Sequence, residues 1–198
     1  MGSSLAGMHR LARWGLWFGG ALVLLSALLI SVDVVLRRFF TKSIGGADEL
    51  AGYALAIGTA WGLAAALIER AHIRIDSLYI LLPSWLRIVL DFLGLTLFIA
   101  FFAMVAWHGS GVVIQSWTSG SRSQSDLQTP TVIPQLIWIS GLIVFVVAGL
   151  VLLLEAFARL KQGDQAGIAR TIGTRSAEEE VNDEIQALKE RQTRTGGG

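Results

Sequence analysis

Glu69-Arg70-Ala71-His72-Ile73-Arg74-Ile75-Asp76 places five ionisable side chains within eight residues. Residues 50–68, immediately before it, contain no Asp, Glu, Lys or Arg at all. Charge is costly inside a bilayer, so a charged knot at the mouth of an apolar run marks a fixed interface position or a functional contact. Reading outward from it, the chain resolves into four apolar runs, with the knot between the second and the third.

The runs cover residues 14–36, 50–68, 92–114 and 131–154. The first spans about 34 Å as a helix at about 1.5 Å per residue, enough to cross a hydrocarbon core. Its length, and the lack of a small-x-small cleavage site, make it an uncleaved anchor rather than a signal peptide. The chain is 53% hydrophobic and 16% charged, with mean hydropathy +0.59, whereas soluble domains carry roughly 25% charge. The expectation is an all-α membrane protein. Residues 1–13 form a short N-terminal segment, 14–158 a four-helix transmembrane domain, and 159–198 a hydrophilic tail.

The links differ in character. Residues 37–49 are short and mixed in charge. Residues 69–91 hold the knot, then a short apolar stretch, Leu78-Tyr79-Ile80-Leu81-Leu82, then Pro83-Ser84. The apolar stretch is too short to span and reads as an interfacial segment between helices 2 and 3. Pro83 and Ser84 read as a helix-start signal. Residues 115–130 are polar and Ser-rich, a solvent-facing loop. In the tail, residues 176–191 read as a short helix with Val181, Ile185 and Leu188 on one face, and 194–198 as disordered.

Lys and Arg near the span ends set orientation. Arg10, Arg13, Arg70, Arg74, Arg87, Arg159, Lys161 and Arg170 fall on one side, and Arg37, Arg38, Lys42 and Arg122 on the other. Eight against four puts both termini in the cytoplasm. A net charge of +1 implies no nucleic-acid partner, and the absence of cysteine removes disulfides, thiolate metal sites and thiol nucleophiles. Seven tryptophans fit anchoring at the lipid interface.

Each ionisable or small residue of note admits a plain and a sharper reading. Asp33 lies near the end of the first span, where it snorkels outward or pairs with Arg37 at i+4. Asp48 and Glu49 open the second span, where the helix dipole favours carboxylates; the alternative for Glu49 is an ion pair to Arg37 or Arg38, or contact with a partner subunit. Arg70, His72 and Arg74 either anchor at the interface by gripping lipid phosphates or, with Asp76, fix a contact to another protein. His108, alone in the third span, reads as a hydrogen-bonded core or lumen residue. Haem between His72 and His108 is disfavoured because the two lie at different depths, and no cofactor is expected. Gly52, Ala56 and Ala60, and separately Gly58 and Gly62, recur at intervals of four and suit close helix packing, within the chain or against another. Phosphate loops, zinc motifs, nucleophile elbows and midplane carboxylate clusters are all missing, so the chain reads as a non-enzymatic helper that packs against something else.

Taken together, Asp33-Val34-Val35-Leu36-Arg37-Arg38-Phe39, Asp48-Glu49-Leu50-Ala51, His72-Ile73-Arg74-Ile75-Asp76 and Leu82-Pro83 resemble the small permease subunit (DctQ type) of tripartite ATP-independent periplasmic (TRAP) transporters. The resemblance covers roughly residues 14–157; Pro130 and Pro134, before the fourth span, also fit. Members often carry an aromatic residue before the acidic pair, where this chain has Gly45-Gly46-Ala47. The resemblance implies a multi-pass subunit of the bacterial inner membrane. Its role would be to scaffold a large permease subunit that takes up an organic acid, often a carboxylate, from a periplasmic solute-binding protein, typically on a sodium gradient. The small subunit itself would hold no substrate. Two other classes compete: a four-helix membrane anchor of a redox complex, which would absorb visible light when purified, and a stand-alone small exporter, which would transport alone.

Overall fold

The computed structural model describes residues 2–69 and 82–173, together with Ile185 and Leu188. The charged stretch Arg70 to Asp76, with His72 and Arg74, and the interfacial segment except Leu82 lie outside these residues. So does most of the 176–191 segment, of which Ile185 and Leu188 are helical and exposed.

Four long helices carry the fold: α1 (Gly2–Phe40), α2 (Ala47–Ile68), α3 (Ser84–Ser119) and α4 (Val132–Lys161). All four are long and apolar enough to cross a membrane. A fifth, α5 (Gln165–Ile172), is short. The helices run past the apolar limits read from sequence. Residues 37–40 finish α1, residues 84–91 open α3, and residues 115–119 close it. Hydropathy marks the lipid-buried length, whereas an α-helix satisfies its own backbone in lipid and water alike and does not stop at the interface. The first link therefore shrinks to residues 41–46 and the Ser-rich loop to residues 120–131.

The helices stand in a row of neighbours. α1 packs on α2, α2 on α4, and α4 on α3, while α5 lies against α4 and α3. The row has an inside and two flanks. In the most apolar stretch of each helix, 39% of residues are buried in α2 and in α4, against 11% in α1 and 17% in α3.

Close approach fixes the first crossing. A Cβ on Gly19 would stand 2.8 Å from the Gly58 carbonyl oxygen, so α1 and α2 meet backbone to backbone. In lipid, where hydrophobicity does not separate one helix from its surroundings, such small-residue contacts supply the packing that holds helices together. Trp61 fills the neighbouring space between Gly15 of α1 and Gly141 of α4. Its indole N–H donates to the Ile137 carbonyl at 3.1 Å, and Phe18 meets the ring edge-on at 6.2 Å.

The core proper gathers Leu67, Leu95, Ile99, Phe145, Ala148, Leu152 and Ala156 from α2, α3 and α4. Phe145 is fully buried, with Phe102 at 4.7 Å and Phe98 at 5.3 Å. The chain after α4 is not wholly solvated, as a hydrophilic tail would be. Gly163 turns it in the left-handed conformation, and the Asp164 carboxylate accepts from the Gly167 N–H at 2.8 Å, capping α5. Ile168 and Ile172 then enter the same core.

Candidate functional site: a braced platform of two loops

The first link and the 120–131 loop meet at one end of the row, and three side chains organise the meeting. Asp33, only 2% exposed, sits one turn before the charged end of α1. One of its oxygens accepts from the Ile44 N–H at 2.6 Å and from the Ser43 hydroxyl at 3.0 Å; the other is ion-paired with Arg37. The carboxylate therefore folds the link back over the end of its own helix, which is the i+4 pairing with Arg37 plus a loop-capping role. Arg37 also reaches the exposed Asp48 at 3.6 Å, tying the end of α1 to the first turn of α2. Arg38 is exposed.

Glu49 turns elsewhere. The alternative of an ion pair with Arg37 or Arg38 gives way to a bond across the platform, in which the Ser125 hydroxyl donates to the Glu49 carboxylate. The carboxylate points toward the other loop because α2 begins directly beneath it, while Asp48, one position earlier, faces α1. Gly45 and Gly46 make this fit possible. Both have positive φ, 23° and 88°, and a Cβ on Gly46 would collide with the Leu127 side chain at 2.5 Å. A larger residue in this place would push the loop tip off the link, which is the physical sense of the Gly45-Gly46-Ala47 departure.

The 120–131 loop has its own frame. Ser123 N–H donates to the Thr129 carbonyl at 2.9 Å, and Thr131 N–H to the Ser121 carbonyl at 3.1 Å. Thr129 N–H returns a bond to the Ser123 hydroxyl at 3.0 Å, and Arg122 donates to the Gln128 carbonyl at 3.2 Å. Arg122 pairs across a single antiparallel bridge with Pro130, whose carbonyl accepts from Ile133 N–H at the start of α4. The alternating Ser119, Ser121, Ser123 and Ser125 were the sequence signal for this internal bonding; the expectation of a solvent-facing loop missed the docked tip.

The remaining candidates separate. Gly58 lies at the α1–α2 crossing, but Gly62 has open space where a Cβ would go. Ala60 is buried, whereas Gly52 and Ala56 are exposed, so the four-residue spacing does not describe one face in use. Pro83 holds the extended conformation before Ser84 and receives the Leu86 and Arg87 N–H groups on its carbonyl. His108 is exposed on the outward side of α3, not in a core or lumen. Asp91, assigned by the sequence to a link, is 2% exposed and two turns inside α3. Among the described residues, no three His, Cys, Asp or Glu side chains gather as a metal ion would require. Chemically, the platform is a brace: carboxylates and hydroxyls joining two loops and three helix ends.

The family model described as "Tripartite ATP-independent periplasmic transporters, DctQ component" matches residues 26–159, well over half of the chain. The match takes in Asp33, the first link, the 120–131 loop and all of α2 and α3. No curated relative matches, and no solved structure matches.

Proposed function

Because the chain belongs to the DctQ component family of tripartite ATP-independent periplasmic transporters, and is thus a small membrane subunit of a transporter, we propose that it is the static scaffold on which the large permease subunit works. The carrying observation is the braced platform. Asp33, Arg37, Asp48 and Glu49 lock the two loops to the helix ends, which suits a part that must stay still while its partner moves. The row of helices, two of them broadly exposed, offers lateral surface for that partner.

Transport would be secondary, driven by a sodium gradient, and the cargo an organic acid such as a carboxylate handed over by a periplasmic solute-binding protein. Both termini lie in the cytoplasm in this reading, which places the platform on the periplasmic side, where it helps to receive the binding protein. Exposed Trp14, Trp17, Trp85 and Trp117 hold the depth against membrane lipids.

The test is recovery of the tagged chain from native membranes in mild detergent, with partners identified by mass and stoichiometry. A large polytopic protein at one to one is the expected result. Recovery of the chain alone as a stable homo-oligomer overturns the reading.

A further inference from the structure

We propose that the outward face of α3 around His108 is where a transmembrane helix of the large permease subunit docks, with a hydrogen bond to the His108 imidazole inside the membrane. The inference rests on the scaffold reading above and specifies which face it uses.

Within the apolar stretches of the four helices, among the described residues, the ionisable side chains are Asp33, Tyr53 and His108, and Tyr53 is half-buried beside Glu49. Asp33 is buried and fully engaged by its own loop. His108 is exposed. It stands seven residues from Gln115, about 10 Å at roughly 1.5 Å per residue, too deep for a short imidazole to reach the headgroups along the helix. Its neighbour Gly109 abuts Trp138 and Ile139 of α4, which turns His108 to the side away from the row.

A hydrocarbon tail offers an imidazole neither donor nor acceptor, and polar side chains in spans face protein or water-filled cavities for that reason. Lipid is therefore the wrong neighbour for this face. Its shape agrees. Met104, Trp107, His108 and Gly111 fall at positions i, i+3, i+4 and i+7, and all four are exposed. Gly111 has nothing within 4 Å of the Cβ position, a notch that admits another helix closely. A second copy of this chain would bring its own exposed Thr96, Trp107 and His108 to such a face, and the crosslinks below tell it apart by mass. Of the partners in the scaffold reading, the large permease subunit is the one embedded in the membrane at the depth of His108, and the face is assigned to it.

The experiment uses the full chain co-expressed with its large subunit. A photo-crosslinking amino acid replaces Met104 or Trp107 and, for comparison, Leu25 on the outward side of α1. Adducts of the mass of the two subunits from 104 and 107 are expected. In parallel, His108→Leu lowers co-purified large subunit at least fivefold, and His108→Gln retains more than half, while the thermal midpoint of the isolated chain is unchanged in both.

Lipid adducts alone from 104 and 107, or adducts of twice the chain's mass, overturn the assignment even when the complex co-purifies intact. Undiminished recovery with His108→Leu overturns it as well. Failure of the unaltered chain to recover any large subunit brings down the scaffold reading itself, and this face with it, a result distinct from an intact complex that crosslinks elsewhere.

Discussion

Asp33 shows how much one buried carboxylate does at the end of a membrane helix. It satisfies a link backbone N–H, a serine hydroxyl and a guanidinium at once. Asp33→Leu strands all three, whereas Asp33→Asn keeps an acceptor for Ile44 and loses the ion pair. The expected order of thermal midpoints in detergent is native, then Asn, then Leu; an Asn variant as unstable as Leu would place the whole effect in charge. Gly46 is the second decisive residue. Its φ of 88° is left-handed, which costs a side chain about 1–2 kcal/mol, and Leu127 occupies the space besides. Gly46→Ala is expected to destabilise by at least that amount in reversible unfolding. An equal loss in a Gly46→Ala, Leu127→Ala double variant would assign it to the backbone; partial recovery would assign the rest to the Leu127 collision.

Among the elements, α1 depends most on a single contact, since α2 is its one extensive neighbour. Gly58→Leu forces side-chain atoms into the Gly19 backbone, and overpacking of this kind costs typically about 1–3 kcal/mol. Here the cost falls on one helix pair, so α1 should separate while α2, α3 and α4 stay together. Fluorescence transfer between labels on α1 and α2 measures that separation. α5 poses the opposite case: eight residues that hold by burial rather than by length, because so short a helix is marginal alone. Ile168→Asp places a charge in the core beside Phe145's layer and is expected to release the helix. A single Ile172→Cys, in a chain without native cysteine, should label slowly with a maleimide when Ile168 is intact and many-fold faster when it is Asp.

For the whole molecule, the row of helices decides what the protein presents to its surroundings. The inner pair α2 and α4 is more than twice as buried as the flanks α1 and α3. A closed four-helix bundle would hide all four equally and leave little to offer a partner. The two loops at one end are tied into a single body, so they should act together: deleting residues 119–123 is expected to loosen the first link as well, read as faster hydrogen exchange at Ile44 and Leu50. Orientation is tested by single cysteines at Arg122 and Lys161. A membrane-impermeant reagent applied from the periplasm should reach the first and not the second, and the reverse pattern would invert the topology.

Number and composition of the spans were legible because hydropathy is additive along the chain: four uncharged runs long enough to cross lipid need no partner to be recognised. The i+4 relation of Asp33 to Arg37 was legible for the same local reason. The family likeness also lay in the linear order of Asp33, Arg37, the acidic pair and Leu82-Pro83. What sequence left open were the relations between distant segments. Glu49 and Ser125 are 76 positions apart, and nothing in either run names the other. That Gly58 meets Gly19 while Gly62 meets nothing depends on the angle at which two helices cross. Helix ends were misplaced where polarity and helicity part company, as at Asp91, because burial there comes from neighbouring helices rather than from the residue's own stretch. The core or outward placing of His108 was likewise beyond periodicity, since an apolar helix shows no preferred side until its neighbours are known. The chain alone determined that it has four helices apolar and long enough to cross the membrane; only tertiary packing decided which sides of those helices are closed against each other and which remain open.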